Sequence, residues 1–188
     1  ACTYSNDEAS GNSGATNTLK NVTLNYAVSL DGTVESVAEK GASNDSVATA
    51  PIIRVTNVMS SSSTSEENFY ILDNRYLFAG ISYYVQEKQH SFTLVNYPNE
   101  EVEDGVIKFY LRHGGTPEKD GVTLISANVA GTYPYLYYKS FDLANYLPTL
   151  PGKEVKIIVE VDENTVNNKL DDERTKKREY SLTYKVEE

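Results

Sequence analysis

Residues 74–96 read NRYLFAGISYYVQEKQHSFTLVN, and this stretch decides the fold. Its first half, Tyr76–Val85 (YLFAGISYYV), is apolar on both faces. Such a run reads as a central strand covered on both sides, with Gly80 marking a kink or bulge. Glu87–Gln89 is polar and reads as a turn. In His90–Tyr97, Phe92 and Leu94 alternate with Thr93 and Val95. That period of two predicts a half-buried strand, expected to pair with the strand before it.

The same pattern extends outward in both directions. Upstream, Val22, Leu24, Tyr26, Val28 and Leu30 alternate with polar or small residues, Asp31-Gly32 is a hairpin-type turn signal, and Thr33–Ala38 reads as the returning strand. Ile52–Met59 and Phe69–Leu72 are strand-like, separated by a serine-rich loop. Downstream, Ile107, Phe109 and Leu111 share one face while Lys108, Tyr110 and Arg112 share the other. Residues 122–138 are β-prone but broken by Gly131 and Pro134, and Phe141–Leu147 reads as a single helical turn. Val155, Ile157, Val159 and Val161 mark a strand, and Tyr180, Leu182, Tyr184 and Val186 mark the last. Roughly eight to ten strands with no long helix predict an all-β, antiparallel β-sandwich of immunoglobulin-like, Greek-key layout, a small barrel being the alternative.

Composition agrees with that class. The chain has 188 residues, with 15 Tyr, 5 Phe and no Trp. Tyrosine suits half-buried strand faces, because its ring is apolar and its hydroxyl reaches the rim. A net charge of −10 argues against a nucleic-acid partner and against electrostatic binding to anionic lipid. No apolar run approaches the roughly 18 residues of a membrane span. One cysteine gives no disulfide framework and no cysteine-based zinc site.

That cysteine is Cys2, followed by the polar run Thr3–Asn17. It reads as the lipid-attachment residue of a bacterial lipoprotein, and 1–17 as its disordered tether. The expected division is tether 1–17, an N-terminal hairpin and linker at 18–50, and a sandwich domain at 51–188.

Five motifs occur in order: PIIRV (51–55), the stretch 74–96, DGVIKFYLRHGG (104–115), FDLANYLP (141–148) and VKIIVEV (155–161). Together they resemble the C-terminal β-sandwich domain of NigD-like lipoproteins of Bacteroidetes over about residues 51–186. The resemblance implies a β-sandwich and a bacteriocin-immunity-like role. Members of that family carry an N-terminal OB-like barrel. The few dozen residues from 18 to 50 cannot hold its five strands, so that domain is missing, shortened or rebuilt, with 19–38 as its remnant. Ser5-Asn6-Asp7-Glu8 also resembles the acidic signals of surface-directed lipoproteins in that phylum, which places the expected location at the outer membrane.

Candidate sites are few. His90 and His113 are the only histidines, and no carboxylate stands at a metal-ligand spacing from either. They read as strand-end histidines bonded to loops; if their strands pair, both sit near one sheet end. Arg112-His113-Gly114-Gly115 lacks the spacing and following helix of an anion-binding loop, so it reads as a hairpin turn. Asp162-Glu163-Asn164 and Asp171-Asp172-Glu173 offer oxygen ligands for Ca²⁺, but nearby Lys169, Arg174, Lys176, Lys177 and Arg178 favour a self-paired loop. No nucleophile motif is present, and no catalytic residue, metal or cofactor is expected.

Tyr133, Tyr135 and Tyr137 share a face if 133–138 is extended, and Tyr83, Tyr84 and Tyr138 add to the group. Rim packing is the structural reading; stacking on a sugar or anchoring a protein is the functional one. The sequence therefore predicts a non-enzymatic binding module, held at the membrane by a lipid on Cys2, with an unknown protein or glycan as partner. The alternatives are a glycan-binding lipoprotein of a polysaccharide-utilisation system, a fimbrial subunit and, last, a glycan hydrolase.

Overall fold

A computed structural model describes Cys2–Thr3, Thr23–Leu24 and residues 31–48, 50–56, 68–85, 90–114, 132–167 and 169–187. Among these residues there are eleven strands and no helix. They are β1 (Cys2–Thr3), β2 (Thr23–Leu24), β3 (Thr33–Ser36), β4 (Arg54–Thr56), β5 (Phe69–Leu72), β6 (Tyr76–Val85), β7 (Ser91–Asn96), β8 (Val106–Gly114), β9 (Tyr133–Asp142), β10 (Glu154–Glu163) and β11 (Lys176–Lys185).

β6 is the central strand its composition predicts. β9 runs antiparallel along its whole length, from Tyr76 opposite Asp142 to Val85 opposite Tyr133. β5 and β4 share its other side, end to end. The register with β9 passes Gly80 opposite Tyr138 without a break, so no bulge forms at Gly80. β5 and β6 are joined at Asp73-Asn74, both in the left-handed region with φ of 53° and 50°, a conformation that Asp and Asn tolerate better than bulkier residues. The second sheet has five strands in the order β11-β10-β8-β7-β3.

Two expectations about pairing are overturned. β7 does not pair with β6; the chain crosses between the sheets after Val85, and β7 pairs with β8 and β3. The five-stranded sheet is also mixed rather than antiparallel, because β3 runs parallel to β7 and β8 parallel to β10. A parallel neighbour needs a crossover; between β8 and β10 the chain contributes β9 to the other sheet before returning. The one-turn element expected at 141–147 is shortened. Phe141 and Asp142 end β9, and the turn closes through Leu147 N–H donating to Leu143 O at 3.1 Å. Most of the alternating run 19–30 and the β-prone run 122–131 lie outside the described residues.

The two sheets face each other over one core. β6 contributes Leu77, Ala79, Ile81, Tyr83 and Val85; β7 and β8 contribute Phe92, Leu94, Phe109 and Leu111; β10 contributes Ile157, Val159 and Val161. These are the apolar members of each alternating pattern, since successive side chains of a strand point to opposite faces. Burying a side chain of this size contributes roughly 1.5–3 kcal/mol, which is why the inward sets dictate the registers.

Asp31-Gly32 locks the chain ahead of β3 onto β9. Gly32 N–H donates to Ser140 O at 3.1 Å, and Gly32 forms a parallel bridge with Phe141. A Cβ at position 32 would overlap the Phe141 ring and stand 2.8 Å from the Ser140 carbonyl oxygen. Gly32→Ala is therefore expected to destabilise the fold by about 1–3 kcal/mol in urea unfolding. An unchanged midpoint would show that this close approach is not maintained in solution.

Candidate functional site

Strand alternation puts Tyr133, Tyr135, Tyr137, Lys139 and Phe141 of β9 on the face that looks toward the second sheet. Phe141 lies in the core and Tyr137 packs against it. Tyr133 and Tyr135 lie beyond the core's edge and are 47% and 45% exposed. The rings form a continuous series. Tyr137 stands 5.3 Å from Tyr83 and 4.2 Å from Tyr135, and Tyr135 stands 6.2 Å from Tyr133. At its inner end Tyr83, fully buried, meets Phe92 at 5.0 Å and His113 at 5.1 Å. Tyr138 and Tyr84 lie on the opposite face. Tyr138 lies against Phe78 and is 43% exposed, whereas Tyr84 is buried and donates its hydroxyl to Thr165 O at 2.7 Å. The tyrosine group is thus divided between two faces.

The two histidines meet inside the sandwich. Phe92 lies opposite His113 in the β7–β8 ladder, and His90 immediately precedes β7. His90 Nδ1 and His113 Nε2 are 2.7 Å apart, and His113 Nδ1 is 3.1 Å from Pro51 O. A carbonyl can only accept, so His113 Nδ1 carries the hydrogen. His113 Nε2 then holds a lone pair and accepts from the Nδ1–H of His90. The His113 ring stacks on Phe92 at 4.7 Å and 8°. Complete burial, with the neighbouring His90 as a second cause, pushes the His113 pKa down from 6.5 to about 3. The pair is a buried structural link, at 3% and 1% exposure, with His113 held neutral. Among the described residues no three His, Cys, Asp or Glu side chains gather where a metal ion could sit.

The other sequence candidates separate. Arg112 and His113 point to opposite faces of β8, so they form no common anion site. Arg112 donates to the Tyr97 hydroxyl at 2.5 Å on the outer face, and Gly115 lies outside the described residues. The acidic residues at the end of β10 and ahead of β11 meet polar partners. Asn164, buried, donates to Asn167 Oδ1 and Thr175 Oγ1, each at 3.0 Å, and Asn167 donates to Asp172 Oδ2 at 2.8 Å. Asp172 also takes both Arg174 donors at 2.7 Å, and Arg178 Nε stands 2.9 Å from Glu163. These oxygens serve local protein donors. Cys2 lies in β1, opposite Leu24 of β2.

Sequence reasoning missed Lys139. It is 3% exposed, and its ammonium stands 2.7 Å from Asp31 Oδ2, with the Phe92 and Tyr137 rings 5.6 and 5.8 Å away. The signal was available in the alternation Tyr133, Tyr135, Tyr137, Lys139, Phe141, which sets a cation on an aromatic face. A buried charge needs a partner, and Asp31 supplies it.

The His113 shift makes stability depend on pH with a definite sign. A base whose pKa is lowered by folding contributes fully above its unfolded value and loses that contribution as pH falls toward its folded value. Stability is expected to fall from pH 6.5 to pH 5, a window above the carboxylate range. His113→Gln, which cannot take up the proton, should flatten that fall in thermal unfolding scans. The same slope in both proteins would show that His113 is not held neutral.

No family model matches the chain, and no protein with a curated description matches it. Solved structures do. A candidate lipoprotein from Bacteroides fragilis NCTC 9343 superposes with a TM-score of 0.69 at 22% identity, over 89% of this chain and 76% of that one. A NigD-like immunity protein from Bacteroides caccae ATCC 43185 gives a TM-score of 0.51 at 16% identity, over 89% and 67%. A protein of unknown function (DUF1344) from Bacteroides vulgatus ATCC 8482 gives 0.48 at 16%, over 89% and 61%. At such identities the likeness is one of fold. The chain has the fold of these Bacteroides lipoprotein and NigD-like structures, in agreement with the resemblance carried by its motifs.

Proposed function

We propose that this chain is the body of a cell-envelope lipoprotein that binds a protein partner without catalysis, through the aromatic end of β9. The observation that carries the reading is the half-exposed pair Tyr133 and Tyr135 on a strand whose register is fixed over ten residues. Large rings on a rigid strand lose little entropy on binding, and tyrosine is enriched among residues that dominate interface energies. The two rings stand at 76° to each other, so they offer an angled edge rather than one flat platform. That geometry favours an irregular protein surface over a single sugar ring. The fold likeness to a NigD-like immunity protein supports a protein partner of the bacteriocin-immunity kind. A glycan partner is the second reading, favoured by the same exposed rings.

Cys2 is the proposed lipid attachment site, supported by the fold likeness to a candidate lipoprotein. Each buried acyl methylene adds about 0.8 kcal/mol, so two or three chains would hold an acidic protein at the membrane that its own charge does not favour. The outer membrane is the proposed location.

Two measurements test this reading. Tyr133→Ala/Tyr135→Ala should keep the unfolding midpoint of the parent and weaken binding to products of the neighbouring genes by about thirtyfold. Run in parallel, a glycan array distinguishes the sugar reading; undiminished binding by the double variant to every ligand of the parent would refute both. For the anchor, mass spectrometry of protein from its native membrane should show an acylated Cys2, and an unmodified thiol would contradict it.

A further inference from the structure

The outer face of the five-stranded sheet holds a second aromatic cluster, remote from β9. Tyr97 and Tyr110 lie 5.1 Å apart at 59°, each only 4% exposed, over Val95 and Val37. The segment after β3 lies over this face. Its Lys40 places an ammonium 4.0 Å from the Tyr110 ring centre and 5.4 Å from that of Tyr97. The same ammonium donates to Glu100 Oε1 at 2.9 Å and to the Tyr110 hydroxyl at 2.6 Å, while that hydroxyl donates to Glu100 at 2.6 Å. Two rings, a carboxylate and a hydroxyl thus surround one cation, an arrangement that recognises organic ammonium groups.

We propose that Tyr97, Tyr110 and Glu100 form a binding site for a primary alkylammonium group, and that Lys40 occupies it as a displaceable internal ligand. Three observations carry this. First, the resident group is itself an alkylammonium, so the cluster's chemistry is matched to one. Second, its side chain is 51% exposed and is followed by Gly41 in the left-handed region at φ 79°, where the backbone is free of a Cβ. Lys40 lies outside the strands, so moving its side chain breaks no ladder bond of the sheet. Third, open clefts of about 300 and 290 Å³ flank the cluster, and Tyr97 and Glu100 line both, so an incoming amine has space on either side. The other cations facing Tyr110 are already engaged. Lys108, 5.1 Å from the ring, is held by Glu179 at 2.7 Å and Glu160 at 3.2 Å. Arg112, 5.6 Å from it, donates to Tyr97. Partial burial works against the Glu100 charge, but hydrogen bonds from Tyr110 and Lys40 outweigh it and hold its pKa below the usual value. The net charge of −10 draws cations to the surface as a whole.

A primary amine is preferred over a quaternary one, because the carboxylate and hydroxyl each take an N–H. The test is an NMR titration with n-butylammonium chloride, at constant ionic strength. Lys40→Ala is expected to bind about tenfold more tightly than the parent, since the internal competitor is gone. Adding Glu100→Gln to that variant should remove the gain, and choline should bind more weakly than n-butylammonium. Nα-acetyl-lysine amide and phosphoethanolamine, run alongside, distinguish a peptide lysine from a headgroup amine as the source. Equal affinity of parent and Lys40→Ala would overturn the proposal. The unaltered protein gives a second readout: excess n-butylammonium should shift the Tyr110 resonances where sodium chloride does not. No such shift would also overturn it.

Discussion

The hydrogen bond from His90 Nδ1 to His113 Nε2 joins the start of β7 to the end of β8 inside the sandwich, where both rings are cut off from water. The second bond of His113, to Pro51 O, brings in the chain that leads to β4. Tyr83 of β6 lies against both imidazoles and accepts the His90 backbone N–H through its hydroxyl at 3.3 Å. Segments from both sheets therefore meet at this point, held by directional bonds as well as by packing. Burial of this kind disfavours a charged His113 imidazolium. The aromatic series that ends at Tyr133 and Tyr135 rests on this arrangement, because Tyr83 supports Tyr137 and Tyr137 supports Tyr135.

The inward sets of the strands were legible because each follows a period of two. β7, β8, β10 and β11 all present the apolar faces that alternation assigns them, and β6 is covered on both faces. Their partners were not legible to the same degree. β6 and β7 are separated by a hairpin's length of chain, yet they belong to different sheets. Local sequence sets which face of a strand is buried, but nothing in it says which edge the strand meets. The parallel pairings of β3 with β7 and β8 with β10 depend on crossovers between distant segments, which periodicity does not record. Asp31-Gly32 shows the same limit. The pair has the composition of a hairpin turn, yet its glycine is required by the Phe141 ring and its aspartate by buried Lys139.

At the sites, single residue types were readable and their company was not. Tyr133, Tyr135 and Tyr137 do share a face, but only the core of the opposite sheet decides that Tyr137 is covered while the first two are not. The histidines stand near one sheet end, as pairing of their strands requires. Their mutual bond required the β7–β8 pairing and the approach of Pro51. Lys40 sits in a small, polar segment with no periodicity, and its two tyrosines come from the outward faces of strands read for their inward ones. The molecule thus carries aromatic clusters on two faces: a rigid end on β9, and an outer cluster over β7 and β8 that already holds a cation.

The buried histidine pair is the most direct point of test. Nitrogen-15 NMR of the imidazoles between pH 7 and pH 5 reports the protonation state and tautomer of each ring. His113 is expected to remain neutral throughout, with its hydrogen on Nδ1. Titration of His113 with an ordinary midpoint near 6.5, or a hydrogen on Nε2, would contradict it.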